Sequence, residues 1–273
     1  MKIVTISREL AALGDETAQE LSKISDCRLV DKPDLEERIK SYGVAGRKFE
    51  KYDERKPSFL ASLSQDRDEY LHYLKTAILA EAAEGNCVFM GRGAGAFFQG
   101  VPGVLSVFLV APEHIRYERV KNYFRCDEKR ARQIVDQSDR DRAGFHRYFF
   151  EIEWKEPSNY HLILNTGTLP PSTAAEIIKF HQDRVLTEET AARNTERLQE
   201  LILGQHVVHH ISYEKGIPIH FLETSVEGKT VTLYGVSNSQ ALAEAAATAA
   251  REAVPDGSIN SEIQVVQEYS IIP

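Results

Sequence analysis

The chain has 273 residues, 42% hydrophobic and 27% charged, which fits a globular protein of one large or two smaller domains and excludes a mostly disordered chain. Its net charge is −8 and its pI about 5.7, so a nucleic-acid binder driven by phosphate neutralisation is not expected. No apolar run approaches the roughly 18 residues of a membrane span, and MKIVTISREL turns charged too early for a signal peptide.

Cys27, Cys87 and Cys126 are isolated in sequence, so no CxxC metal or redox motif exists, and reduced thiols in a cytoplasmic protein are the default. No metal site is assigned. His206 and His210 have i, i+4 spacing, but without an HExxH pattern or a nearby cysteine the stretch reads as a histidine-rich connector or strand.

The elements come in alternation. Lys2–Ile6 reads as a strand, followed by a turn to Gly14 and a helix over Glu16–Ser25. Cys27–Asp31 is a second short strand. Helices interrupted by a polar segment, Lys48–Ser64, occupy the stretch from Pro33 to Gly85. Asn86–Met90 and Val104–Val110 are two further apolar strands. Glu113–Asp141 is a charged helical stretch, His161–Asn165 a fifth strand and Pro171–Val185 a helix. Strands spaced by helices predict a parallel sheet covered on both faces. Ligands of such sheets sit at the carboxyl ends of the strands. Those ends carry Ser7-Arg8-Glu9, Asp31, Gly91-Arg92-Gly93, Ala111-Pro112 and Asn165-Thr166.

Beyond about residue 186 the character changes. Thr187–Leu203 is a polar amphipathic helix. Pro218–Glu223, Thr230–Tyr234 and Glu262–Val266 read as strands, and Ser239–Glu252 as an alanine-rich helix. This predicts a small α+β domain over 205–273 behind a helical linker, 187–204, and a first domain over 1–186. Residues 205–273 hold three basic and eight acidic side chains, a net charge of −5.

Three constellations carry candidate chemistry. The loop from Arg8 through Ala11, Ala12, Leu13, Gly14 and Asp15 stands where a phosphate loop would. Such a loop needs glycines for converging N–H groups, a cation for the phosphates and a hydroxyl for magnesium. Only Gly14 meets that pattern; Asp15 and Glu16 replace the cation and the hydroxyl, and Leu13 is poorly suited to φ > 0. An ordinary strand-to-helix turn reads equally well. Second, Gly91-Arg92-Gly93 could bring backbone and guanidinium to a phosphate, or be a tight turn with a solvated arginine. Third, eight arginines lie between Glu113 and Arg147, and Asp139 and Arg142 are three apart on one helix face. Tyr148, Phe149, Phe150 and Trp154 read as core or the base of a lid.

Taken in order, Ile6-Ser7-Arg8-Glu9, Val30-Asp31-Lys32, Phe49–Glu54, Met90–Gly95, Asp139–Arg142 and Leu164-Asn165-Thr166 make residues 1–185 resemble the cytidylate kinase-like proteins, which have the P-loop nucleoside monophosphate kinase fold. The resemblance implies ATP with Mg²⁺ on the loop, a CMP-like monophosphate across the cleft and an arginine-rich lid. It implies substrate-binding roles for Asp31, Arg92, Asp139 and Arg142, and catalytic roles for Arg119 and Arg142, with Arg119 and the arginines of 125–132 in the lid. Catalysis there is positioning and charge neutralisation. The family loop reads roughly Tyr-Gly-Ser-Gly-Gly-Arg-Glu; this chain has Leu10-Ala11-Ala12-Leu13-Gly14-Asp15-Glu16. Losing one phosphate-neutralising contact costs about 2.7–4 kcal/mol. The expectation is a nucleotide-binding protein with weak or absent kinase activity, serving as a sensor coupled to its C-terminal domain; an active nucleoside monophosphate kinase, rescued by phosphate contacts from Arg8 or Lys2, is the alternative. Residues from about 195 to 270 resemble a BON domain, with an αββαβ-like order. Over 205–273 only Lys215, Lys229 and Arg251 are basic, against membrane binding. The Thr187–Leu203 helix leaves a homodimer open.

Overall fold

The computed structural model describes residues 1–42, 52–53, 56–57 and 64–266. They divide into two compact units, Met1–Asn194 and Thr195–Pro273.

In the first unit, β1 (Ile3–Arg8) is the central strand of a five-stranded sheet. Ile3, Val4 and Ile6 are buried because strands lie on both sides of β1 and helices cover the faces, so no position alternates out to water. β2 (Arg28–Val30), β5 (Cys87–Met90), β6 (Val104–Val110) and β7 (Leu162–Asn165) complete it in the order β2-β5-β1-β6-β7. Every pairing is parallel; Ile3 stands between Cys87 and Val104, and Ile6 between Met90 and Val107. From β1 the chain goes to the edge strand β2, returns to β5 beside β1, then crosses to β6 and β7 on the other side, and in a sheet wound this way a ligand is expected at the carboxyl end of β1. A short antiparallel pair, β3 (Tyr52–Asp53) and β4 (Lys56–Pro57), lies between β2 and β5 in sequence. The rest of the Phe49–Glu54 motif lies outside the described residues.

Helix α1 (Gly14–Ser25) follows β1, with Thr17, Ala18 and Leu21 buried. Its apolar side and that of α7 (Pro171–Val185) meet the sheet through Val4, Leu105, Val107, Ala174 and Ile178. Helix α2 (Lys32–Ser41) begins at a capping box: Asp31 Oδ1 accepts from Asp34 N at 3.4 Å, and Asp34 Oδ2 from Asp31 N at 2.9 Å. Helix α3 (Ser64–Ala83) is tied to β2 and α2 by the buried carboxylate of Glu81, which takes Arg28 and Arg38, each at 2.6 Å. The one-turn α4 (Ala94–Phe97) follows β5.

The charged helical stretch forms two helices, α5 (Glu113–Phe124) and α6 (Glu128–Phe150). Arg125 closes α5 in the left-handed region, and Asp127 opens α6 by accepting from Arg130 N at 2.8 Å. A side-chain cap of this kind competes with helix continuation, which the charge pattern alone conceals. Trp154 and Phe149 are buried behind them, as the core reading had it.

Helix α8 (Glu188–His209) runs across the boundary between the units. His206 and His209 lie in its last turn and His210 opens a π-helical turn (His210–Glu214), so the histidines are helical and not a strand. In the second unit β8 (His220–Glu227) and β9 (Thr230–Ser237) are antiparallel, and β10 (Ser258–Val265) adds to β9 in parallel. Helix α9 (Gln240–Ala253) makes that parallel crossover and packs its buried alanines on Val231 and Leu233. No helix among the described residues is long and apolar enough to cross a membrane.

Candidate functional site

The carboxyl end of β1 passes into a loop, Glu9–Leu13, before α1. Two of its residues have left-handed backbone: Ala11 at φ 61° and Leu13 at φ 52°. These are two of the positions where the family pattern has glycine. The expectation that Leu13 would resist positive φ is therefore corrected: the loop takes the conformation without the residue type that makes it cheap. The penalty is about 1–2 kcal/mol per residue.

What holds the loop is visible in its carbonyls. Arg116 Nε donates to Leu10 O at 2.8 Å, and Arg119 Nη1 to Ala11 O at 2.8 Å. Thr166 Oγ1 donates to Ala12 O at 2.9 Å, and Thr17 Oγ1 to Leu13 O at 2.7 Å. Four successive carbonyls are thus tied back. In a trans peptide the N–H points opposite to the C=O. The N–H groups of Ala11, Leu13 and Gly14 accordingly face away from these ties, while Ala12 N turns back to Glu9 O at 3.3 Å. The first turn of α1, whose cap residue Leu13 supplies no side-chain bond, adds further N–H groups without an intrahelical partner. The result is an anion cradle in backbone geometry.

Its side chains have the opposite sign. Asp15 and Glu16 are exposed in the first turn of α1. Burial raises the pKa of Asp31, helped by the carboxylates of Asp34 and Asp15 and opposed by the Asp34 N–H. Arg8 flanks the loop, its Cγ 2.6 Å from where a Gly14 side chain would begin, so only glycine fits at 14. Thr17, the first hydroxyl after the loop, is buried, and its Oγ1 donates to Leu13 O. Lys2 lies at the other end of β1, paired with Asp183 at 2.9 Å, and cannot supply the missing cation.

Beneath the loop sits a charge network. Arg116 is 1% exposed and forks onto Asp139, Nη1 to Oδ2 at 3.0 Å and Nη2 to Oδ1 at 2.6 Å. Glu9 accepts from Ala111 N at 3.2 Å, from Lys155 at 2.6 Å and lies 3.3 Å from Arg116. Lys155 also reaches Asp139 at 3.0 Å. Burial raises the Asp139 pKa, but Arg116 and Lys155 outweigh it and hold the carboxyl below its usual range. Burial likewise opposes the charge on Lys155, and Glu9 and Asp139 overcome it.

The site residues named from sequence fall into two groups. Ala11, Ala12, Leu13, Gly14, Asp15, Arg119 and Asp139 gather at the loop, Asp139 through Arg116. Arg119 spans Ala11 O and Thr166 O, both at 2.8 Å, so it is a wall of the loop. Arg92 is elsewhere, buried in a left-handed turn between Gly91 and Gly93, its Nη2 3.2 Å from Glu36 and its Nη1 3.5 Å from the Tyr70 hydroxyl. Arg142 is buried on α6 with Nη1 2.6 Å from Ser138 Oγ; no bond between it and Asp139 is present among the described contacts. Asp31 is the α2 cap. Of the arginines at 125–132, Arg132 pairs with Glu128 at 2.5 Å and Arg130 reaches Gln133.

Glu9, Arg116 and Thr17 stand in the sequence only as members of the strand-end motif, the arginine stretch and the loop, with no role of their own, and Lys155 is in no motif. The i, i+3 spacing of Arg116 and Arg119 on α5 was the available signal; Lys155 carried none. Among the described residues no three His, Cys, Asp or Glu side chains are grouped to hold a metal.

The family model of the cytidylate kinase-like family matches residues 3–168. The chain belongs to that family. No curated protein matches it. Among solved structures it is similar to an uncharacterized protein from Eubacterium ventriosum, at 20% identity and a TM-score of 0.55 over 67% of this chain and 99% of that one. It is also similar to a sugar kinase from Janibacter (14% identity, TM-score 0.41, 69% and 99% covered) and a shikimate kinase from Bacteroides thetaiotaomicron (14%, 0.40, 67% and 96%). These likenesses bear on the fold alone, and the first carries it.

Proposed function

We propose that this cytidylate kinase-like protein binds a nucleoside monophosphate and transfers little or no phosphoryl group from ATP. The observation behind this is Asp15. The loop keeps a cradle of N–H groups, yet places a carboxylate at the family's arginine position and a second, Glu16, beside it. A triphosphate in that cradle would meet the carboxylate of Asp15 where the family has a cation, with Arg8 flanking the loop. Coulomb repulsion between unit charges about 4 Å apart is roughly 4 kcal/mol at a protein surface, of the order of the family's own gain from its cation. Mg²⁺ would arrive only with the nucleotide, since the donor set here offers it no hydroxyl. In this reading the acceptor site draws on Asp31, Arg92 and Arg142, with the two arginines taking the phosphate, while Asp139, held by Arg116 and Lys155, acts through the loop wall.

In this reading the C-terminal unit is a BON-like module that reports occupancy to a partner. Its support is the order α8-β8-β9-α9-β10 with a mixed three-stranded sheet. The net charge of −5 over 205–273 speaks against an anionic membrane as the target and leaves a protein contact, including a second copy. The division would be 1–186, a helical linker 187–204 and 205–273, in a protein of the cytoplasm.

The second reading, an active nucleoside monophosphate kinase using ATP and Mg²⁺, is favoured by the retained left-handed cradle. In it Arg142 neutralises the transferred phosphoryl group and Arg119 acts through the loop it holds.

Calorimetric titration of CMP, dCMP, UMP, ATP and ADP, with and without Mg²⁺, tests the choice. Monophosphate binding that disappears in R92A/R142A, with no ATP binding, is expected. Tight ATP binding to the wild type, or Mg²⁺-dependent turnover, would overturn the proposal in favour of the second reading.

A further inference from the structure

We infer that Arg116 and Arg119 are positioning residues that do the work of the lost loop glycines: they hold Ala11 in left-handed backbone by gripping the carbonyls of Leu10 and Ala11 on either side of it, and Arg119 reaches Leu13 through Thr166, whose hydroxyl ties back the carbonyl of Ala12. Two residues without glycine's freedom occupy φ 61° and φ 52° within three positions. Such residues persist only where surrounding structure over-determines them. Here the surroundings are specific. The two arginines lie three apart on α5, one helical turn, and meet two successive carbonyls of the loop, both at 2.8 Å. Neither points its guanidinium outward. Arg119 spends its second nitrogen on Thr166 O, and Thr166 in turn donates to Ala12 O. Arg116 is fixed by the fork on Asp139 and by Glu9, and Lys155 closes the ring by joining both carboxylates.

The arrangement reverses the role expected for arginines in this part of the chain. A lid arginine needs a free guanidinium that swings onto phosphate. These two are occupied by backbone, and α5 with α6 forms a fixed back wall. Asp139 serves the loop through Arg116.

The inference deepens the reading above and rests on it for the identity of the loop, but its readout is separate. In the full chain, NMR Cα shifts and HN–Hα couplings of Ala11 and Leu13, with the Gly14 amide shift, report the loop directly. R119M is expected to move all three away from their left-handed values. Adding A11G and L13G to R119M is expected to return the Gly14 amide to its wild-type position, because glycine lowers the cost that the arginine had covered. R119K, which keeps the charge but reaches one carbonyl at a time, is expected to give intermediate shifts and is the variant read should R119M not fold. Unchanged loop shifts in R119M or R119K overturn the inference even where melting temperature falls, since Arg119 would then be plain packing. Failure of the two glycines to restore the Gly14 amide overturns it as well. Nucleotide titrations are not part of this outcome, so the loop inference and the proposed function fail independently.

Discussion

Single side chains decide the electrostatics of this loop. Asp15→Arg puts the family's cation back onto an existing cradle, and we expect ATP affinity to rise at least tenfold, or about 1.4 kcal/mol, in the calorimeter; unchanged affinity would mean that Asp15 is not the obstacle. Asp139 makes a different prediction. Its pKa is depressed in the folded protein, so its contribution to stability is complete above the unfolded value near 3.9 and is lost as pH falls through the lower folded value. Asp139→Asn, which leaves Arg116 half-paired, should cost roughly 3–5 kcal/mol at neutral pH. In denaturant titrations its deficit relative to wild type should shrink below about pH 4. A deficit independent of pH would show that the ionised carboxylate is not what matters. None of this could be read from sequence. Asp139 and Arg116 are 23 positions apart and Lys155 lies outside every motif, so their meeting depends on how α5, α6 and the segment after α6 fold back on β1.

Elements were more legible. Val104–Val110 and Pro171–Val185 are bounded in the structure where hydrophobic pattern and proline placed them, because strong apolar runs and helix-starting prolines act locally. The position of the α5–α6 break is concealed in the pattern because its signal is one aspartate cap inside a uniformly charged stretch. Asp127→Ala should therefore lower stability by about 1 kcal/mol, measured by urea unfolding, and no change would remove the cap from the account. Gly93 shows the sharper constraint. It has φ 65°, and a Cβ there would lie 2.1 Å from Phe150 Cε2. Gly93→Ala is expected to cost about 1–3 kcal/mol from overpacking, with part regained in G93A/F150L. An undiminished penalty in the double variant would assign the cost to backbone strain instead of the ring.

At the scale of the whole molecule each unit has its own core, one on the five-stranded sheet and one on β9 and α9, and a smaller cluster of Val120, Ala131 and Val135 joins α5 to α6. Leu233→Ala, at a fully buried position of the second core, should lower the stability of that unit by about 2–5 kcal/mol, seen as faster amide exchange in β8–β10. Unaltered exchange there would mean the cavity collapses without cost. The parallel architecture and its carboxyl-end crevice were readable because polar residues and glycines gather at those strand ends. The conformation of the loop was not, because φ > 0 at Ala11 is set by partners more than a hundred residues away.

Trp154 is the chain's one tryptophan. It is buried, its ring lies 5.5 Å from the ammonium of Lys155, and Lys155 is bonded to both carboxylates beneath the loop. The protein therefore carries an intrinsic optical probe beside the anchor of its candidate site. Emission should be blue-shifted in the resting protein, and quenching by added ligand or by acid can be followed without a label, at a single fluorophore whose position in the fold is known.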